Sequence, residues 1–323
     1  MTTTVGQAAA QILAGELVAF PTETVYGLGA DASSDAAVAK IFAAKGRPAD
    51  HPLIVHIASS AQVFDYASNV PPFADQLIKA FWPGPLTVIL PRKAGVATAA
   101  AGGQNSIGLR CPAHPVALEF LNACNALGVG GVAGPSANAF GRISPTTAAH
   151  VRHEFGDALM VLDGGPCKVG IESSIVDCTR SAPVLLRPGV LTLAQLEAAC
   201  GQGVLSAGAA IESSAPRAPG TLESHYAPNA KVRLMNAKAI QTALDLLGAD
   251  AAHMAVYART IVRITSENVL YRRMPDDALA TAEQLFAVLR NFDAQGVKLI
   301  WVETLPPEGA WDGVRDRLAR ASA

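Results

Sequence analysis

Several stretches of this sequence gather side chains that could do chemistry. Lys45-Gly46-Arg47-Pro48, followed by His51-Pro52-Leu53-Ile54-Val55-His56, sets two cations two positions apart in a loop held by Gly and Pro. They suit phosphates or a carboxylate, although cations just past a helix also complement its C-terminus. Phe20-Pro21-Thr22-Glu23-Thr24-Val25-Tyr26-Gly27-Leu28-Gly29 presents two hydroxyls, a carboxylate and a phenol before its glycines. Generic propensity reads it as a turn with capping hydroxyls. Ser106-Ile107-Gly108-Leu109-Arg110 ends an apolar strand on a cation, which is costly unless an anion meets it. Pro135-Ser136-Ala137-Asn138 follows a Gly-rich apolar strand and reads as ligand hydrogen bonds or as a capped turn. Ser144-Pro145-Thr146 is most simply a helix start with Ser144 as cap. Glu172-Ser173-Ser174 precedes a β-branched strand, and Arg187-Pro188-Gly189 ends the next. Several polar clusters at the ends of apolar strands argue for one convergent pocket.

There is no GxxxxGK(S/T) phosphate loop, no GxGxxG and no GxSxG elbow, and no paired carboxylates stand out. Cations, hydroxyls and an amide with few bases suit a reaction whose substrates bring their own nucleophile and leaving group. Phosphoryl or nucleotidyl transfer is of that kind.

The elements that must position these residues alternate. Helices are expected over Val5–Ala14, Asp35–Ala44 (capped by Asp35) and near 71–82, 114–127 and 145–155. Strands are expected over Leu17–Phe20, Leu53–Ile57, Leu86–Leu90, Ser106–Arg110, Met160–Leu162 and Ser174–Asp177. That interleaving predicts an α/β domain over 1–205. Residues 201–229 are rich in Gly, Ala, Ser and Pro without a sustained period and read as a linker, assigned to 206–229. A second alternation predicts a small parallel-sheet domain over 230–323. Its strands are Lys231–Met235, Met254–Tyr257, Asn268–Met274 and Leu299–Thr304, with helices Ala237–Leu247, Asp277–Gln295 and Trp311–Ala321.

The chain of 323 residues is 50% hydrophobic and 16% charged, with mean hydropathy +0.27, which excludes a disordered polypeptide. Its net charge of −2 argues against a protein that coats nucleic acid. Cys111, Cys124, Cys167, Cys178 and Cys200 form no CxxC pair, so reduced buried thiols are expected, with no zinc site. The first residues lack a basic region ahead of an apolar run, and no stretch approaches a membrane span, so a cytoplasmic protein is expected.

PTETVYGLG, KGRP before HPLIVHI, FWPGPLT, GLRCP, GPSAN, SPT, ESSIVD and LLRPG occur in this order over roughly residues 10–200. That succession resembles the YrdC-type domain of threonylcarbamoyl-AMP synthases. HYAP (His225 to Pro228) and IWVETLPPEG-W resemble the longer, two-domain form. The resemblance implies a YrdC-like twisted-sheet domain with a positively lined concave face, then a small Rossmann-like α/β domain, with the linker lying over the active site. It implies an enzyme that joins L-threonine, bicarbonate and ATP, with Mg²⁺, into threonylcarbamoyl-AMP and pyrophosphate. A tRNA threonylcarbamoyl-transferase system would act downstream, and a weak direct contact to tRNA is left open.

Carried over by position, the resemblance makes Lys45 and Arg47 catalytic and assigns them, with Ser136 and Asn138, to the ATP phosphates. Ser144, Arg187 and Ser106 are further ATP contacts, and His225 and Tyr226 reach the nucleotide from the linker. Thr24, His56, Arg110, Gly134 and Ser173 hold threonine, with Arg110 on its carboxylate. No protein side chain binds a metal directly; Mg²⁺ comes with ATP. Where many members carry Asn after KGRPxx this chain has His51, so the ATP contact there falls to a different side chain. Ser174 replaces the family's Thr and keeps the hydroxyl. The alternatives are an RNA-binding or ribosome-assembly module without catalysis, and a carbamoyl transferase like those of hydrogenase maturation. The latter usually carry extra segments and cysteine pairs that this sequence lacks.

Overall fold

The computed structural model describes residues 3–206, 216–220 and 225–323. Its first half contains β1 (Val18–Phe20), β2 (Gly27–Asp31), β3 (Ile54–His56), β4 (Leu86–Pro91), β5 (Ser106–Arg110), β6 (Val132–Ala133), β7 (Met160–Val161), β8 (Ser174–Asp177), β9 (Val184–Arg187) and β10 (Leu205–Ser206). They form one mixed sheet in the order β10-β9-β8-β4-β5-β3-β6-β2-β1-β7. The helices of this half are α1 (Val5–Leu13), α2 (Asp35–Lys45), α3 (Val63–Tyr66), α4 (Pro72–Phe81), α5 (Pro115–Ala126), α6 (Ala148–Phe155) and α7 (Leu193–Cys200).

The two-residue period of the strands sorts core from cleft. Val55, Leu86, Val88, Leu90, Leu109 and Val176 join the main core. Ile54, Ile89 and Ile175 alternate with them and form a separate cluster that Ala218 covers. His56, Thr87, Gly108 and Arg110 share that second face by the same alternation. A one-residue slip would bury these polar groups in the core.

The second half runs β11 (Lys231–Met235), α8 (Ala237–Leu247), β12 (Met254–Ala258), β13 (Val269–Arg273), α9 (Ala278–Ala294), β14 (Leu299–Glu303) and α10 (Asp312–Ala321). Its sheet has the order β11-β14-β12-β13 and every pairing is parallel. The expected α/β class, with a second parallel-sheet unit, is what the chain forms. Val25, Ile143 and Ile171 of the first half share one core cluster with Phe286, Leu289 and Val314 of the second. Backbones also meet there: a Cβ on Gly313 of α10 would lie 2.3 Å from the Gly189 carbonyl oxygen.

Four local expectations change. Helix α2 is capped by Ser34, whose hydroxyl accepts from Ala37 N, and Asp35 is its first residue. Ser144 caps nothing. The carbonyls of Pro145 and Thr146 accept from the Tyr26 and Cys167 amides, so that segment stays outside the helix and α6 starts at Ala148 under Thr147. Gly27-Leu28-Gly29 starts β2, antiparallel to β1, a strand the sequence reading did not assign, while the turn with capping hydroxyls forms just before it at Thr22. Leu205–Ser206, at the edge of the expected linker, pairs parallel with β9. The parts of that linker at 207–215 and 221–224 lie outside the described residues.

Candidate active site

Helix α2 delivers the first cation. Val38, Ile41 and Phe42 bury one face, and Gly46 takes φ 63°, a left-handed turn that ends the helix and swings the chain into Arg47. Lys45 Nζ donates to the Ser136 carbonyl at 2.5 Å and to the Asn138 carbonyl. Burial, with Arg47 nearby, pushes the Lys45 ammonium down to about 7. Arg47 donates to the Pro52 carbonyl at 2.9 Å, and its guanidinium carbon sits 5.7 Å from the Phe140 ring centre. Burial pushes Arg47 down to about 10.

Arg110 ends β5 and finds its anion inside the chain. Its Nη2 donates to Glu23 Oε1 at 2.6 Å, its Nη1 to Thr24 Oγ1 at 2.8 Å and its Nε to the Gly84 carbonyl at 3.2 Å. Two of the five guanidinium N–H groups remain for a ligand. His56 stands beside it, and burial, then Arg110, pushes its imidazole down to about 3. Arg187 at the end of β9 donates to the Ser173 carbonyl at 3.0 Å, to Ser173 Oγ at 3.2 Å and to the Pro219 carbonyl at 3.0 Å. Ser173 Oγ also lies 2.8 Å from Thr87 Oγ1.

These groups converge. Lys45, Arg47, His56, Arg110, Gly134, Ser136, Asn138, Ser173, Arg187, His225 and Tyr226 all line one cleft that spans about 630 Å³ including its opening to solvent. Four of the expected residues stand apart from its lining. Thr24 lies behind Arg110, and Ser144 is fully buried and donates to Glu172 Oε1. Ser106 faces a smaller hollow with Thr87, Gly108, Ile175 and Arg217. His51 faces an adjoining hollow with Arg47, Phe140, Ala218 and His225. Its ring meets Phe140 edge-on at 5.5 Å.

Several buried polar atoms in the cleft have no hydrogen-bond partner among the described residues: Arg47 Nε, His56 Nδ1, Asn138 Oδ1, His225 Nδ1 and Tyr226 Oη. Unpaired buried polar groups are rare in folded proteins, and a cluster of them at one concavity points to a polar ligand. Burial pushes His225 down to about 4 and Tyr226 up to about 12.

Sequence reasoning missed four contributors. Glu23 and Glu172 lay inside quoted motifs but received no role; one pairs Arg110 and the other lines the cleft. Arg317 of α10 is fully buried and bonds Glu172 Oε2 at 2.8 Å from 145 residues away. Nothing local in its helix singles it out. The Phe140 ring, near Arg47, His51 and His225, was likewise unassigned.

A Sua5–YciO–YrdC family model, whose description reads telomere recombination, matches residues 10–189. A second model, described as the C-terminal domain of threonylcarbamoyl-AMP synthase, matches residues 191–323. The threonylcarbamoyl-AMP synthase of Pyrococcus abyssi is 39% identical over 325 residues, covering 98% of this chain and 93% of that protein. The Bacillus subtilis protein of the same name is 37% identical over 331 residues, covering 98% and 92%. This chain belongs to the threonylcarbamoyl-AMP synthase family.

Family members share the architecture as well as the sequence. The crystal structure of P. abyssi Sua5 complexed with L-threonine matches with TM-score 0.87 and 38% identity, covering 98% of this chain and 94% of that one. Escherichia coli YciO, at 20% identity and TM-score 0.51 over 59% of this chain, shares the fold of the first half. Among the described residues no helix is long and apolar enough to cross a membrane.

Proposed function

We propose that this protein is an L-threonylcarbamoyladenylate synthase that converts L-threonine, bicarbonate and ATP into threonylcarbamoyl-AMP and pyrophosphate. The observation that carries the reading is the set of unpaired polar atoms on Arg47, His56, Asn138, His225 and Tyr226, gathered in one cation-lined cleft. Family membership favours this enzyme over the RNA-binding module and the carbamoyl transferase.

Arg110, already oriented by Glu23, Thr24 and Gly84, offers its two remaining N–H groups to the threonine carboxylate. His56, held neutral by its surroundings, accepts or donates without adding charge. Gly134 and Ser173 complete that end, and a hydrogen bond to the threonine hydroxyl rejects analogues lacking it. Lys45, Arg47 and Arg187 face the triphosphate, with Ser136 and Asn138 beside them, and Ser106, Ser144 and His51 stand one layer further out. His225 and Tyr226 approach the nucleotide from the linker side. Bicarbonate gives up hydroxide to become carbon dioxide; the neutral threonine amine adds to its carbon and releases a proton, which joins the hydroxide as water and leaves a carbamate. A carbamate oxygen then bonds the α-phosphorus while the bond to pyrophosphate breaks. The growing charge on pyrophosphate meets the three cations.

Mg²⁺ carried by ATP fits this donor set. Glu172, the one acid among the described lining residues, is engaged by Arg317 and Ser144, so the ion would be held by phosphate oxygens and water. Asn138 Oδ1, a buried acceptor without a partner among the described residues, would take a hydrogen bond from such a water. When bound, the ion would neutralise charge on the leaving pyrophosphate. The product, an activated carbamoyl donor, would pass to a tRNA threonylcarbamoyl-transferase system, in keeping with the cytoplasmic location expected from the sequence. A direct tRNA contact is secondary to this reading.

The test is pyrophosphate release from ATP, with and without L-threonine and bicarbonate, with serine as control. Release that needs both co-substrates and is weak with serine is expected. Release independent of threonine would refute the assignment.

A further inference from the structure

The cleft contains a contradiction in charge. Its cations suit phosphates, yet Glu172 lines the same space, its side chain 8% exposed. A free carboxylate there would repel a triphosphate. The second half of the chain resolves this. Arg317 of α10, with no exposed side-chain surface, donates from Nε to Glu172 Oε2 at 2.8 Å and from Nη2 to the Glu172 carbonyl at 3.1 Å. Its Nη1 reaches the Pro188 carbonyl and Asp316, both at 2.8 Å. Its guanidinium lies 5.2 Å from the ring centre of Tyr226, itself a cleft residue. With one oxygen fixed by Arg317, Glu172 turns the other to the Ser144 hydroxyl.

Resting on the synthase reading, we propose that Arg317 is a positioning residue for ATP. It is the counter-charge, supplied by the C-terminal unit, that converts Glu172 from a repelling anion into a fixed acceptor for Ser144. This gives the C-terminal unit a chemical role in the reaction. Arg290 of α9 reinforces the same point, donating to the carbonyls of Ile143 and Ser144, the latter at 3.4 Å. Glu172 is held below the usual carboxylate range because Arg317, Arg187 and Ser144 outweigh its burial.

The test uses the full-length chain and the variants Arg317→Met, Arg317→Lys and Arg317→Met/Glu172→Gln. ATP affinity is read by calorimetry, and the KM for ATP by threonine-dependent pyrophosphate release. Arg317→Met should weaken ATP by about tenfold to a hundredfold, the scale of one like-charge contact in a partly dry site. Removing the stranded charge in the double variant should restore affinity to within about threefold of the unsubstituted protein, as expected when a repulsive charge is what was felt. A packing role for Arg317 would not be relieved by Glu172→Gln, so an unrelieved loss overturns the proposal. An unchanged affinity in Arg317→Met overturns it as well. Should Arg317→Met not fold, Arg317→Lys and the double variant still decide, because both keep the pair neutral. Either one binding ATP tenfold more weakly refutes the idea. Absence of threonine-dependent turnover in the unsubstituted chain would sink the synthase reading alone, while the ranking of ATP affinities still judges the charge pairing.

Discussion

The Lys45 ammonium makes ATP affinity depend on pH in a calculable way. Burial and the neighbouring Arg47 bring it down to about 7 from the ordinary lysine value of 10.5. A neutral lysine is a poor partner for a triphosphate, so affinity should fall as pH rises through that value. If only the protonated form binds, the apparent Kd scales as one plus ten to the power (pH minus pKa). Between about pH 6 and about pH 8.5 that is a weakening of about thirtyfold. The carbonyls of Ser136 and Asn138 favour the ammonium and pull the other way, so thirtyfold is the upper figure. The unliganded fold responds with the opposite sign: it favours neutral Lys45, so this group's penalty on stability is full below about 7 and fades as pH climbs toward 10.5. In the same lining, His56 and His225 are pushed down to about 3 and about 4, and Tyr226 up to about 12, so they do not titrate in this window. The assay is calorimetric titration of ATP at a series of pH values, repeated on Lys45→Met. A Kd that changes by less than about threefold over the window would refute the reasoning. So would the same slope in Lys45→Met.

Other consequences concern single side chains. Arg110→Met strands Glu23 in a buried position and should lower unfolding free energy by about 3–5 kcal/mol in urea, with most of it regained in Arg110→Met/Glu23→Gln. A loss below about 1 kcal/mol would show that the pair is too wet to matter. Phe140→Ala removes the ring that meets Arg47, His51 and His225 and should raise the KM for ATP by about tenfold while sparing that for threonine. An equal rise for threonine would contradict that division of the cleft. Arg47→Ala should abolish turnover and leave the circular dichroism spectrum unchanged; persistent pyrophosphate release would remove Arg47 from the chemistry.

Strong local patterns were legible. β5, β8, β11 and α8 occupy the residues that periodicity assigns, because each alternates or repeats cleanly between breakers. Arg110 shows the limit of such reading. Its position at the end of an apolar strand demands an anion, and the demand is met, but by Glu23, 87 residues earlier in the chain. Ser144 looks like a helix cap because Ser-Pro-Thr has that composition. Partners brought by distant elements, the Tyr26 and Cys167 amides with Glu172 and Arg290, keep the segment out of the helix. Arg317 lies in a helix rich in charged residues where solvent exposure is the ordinary expectation. Its burial follows from how the two halves pack.

The close approach of α10 to Gly189 also bears on how the molecule comes apart. Two sheets with separate hydrogen-bond ladders would ordinarily melt in sequence. Here a shared apolar cluster crosses the boundary, and Gly313 leaves no room for a side chain between the two backbones. Detaching the second unit would bare Ile143, Ile171 and Phe286 together and strand Glu172 without Arg317. Separation therefore breaks up that shared cluster, and heat or urea should unfold the chain in one cooperative transition.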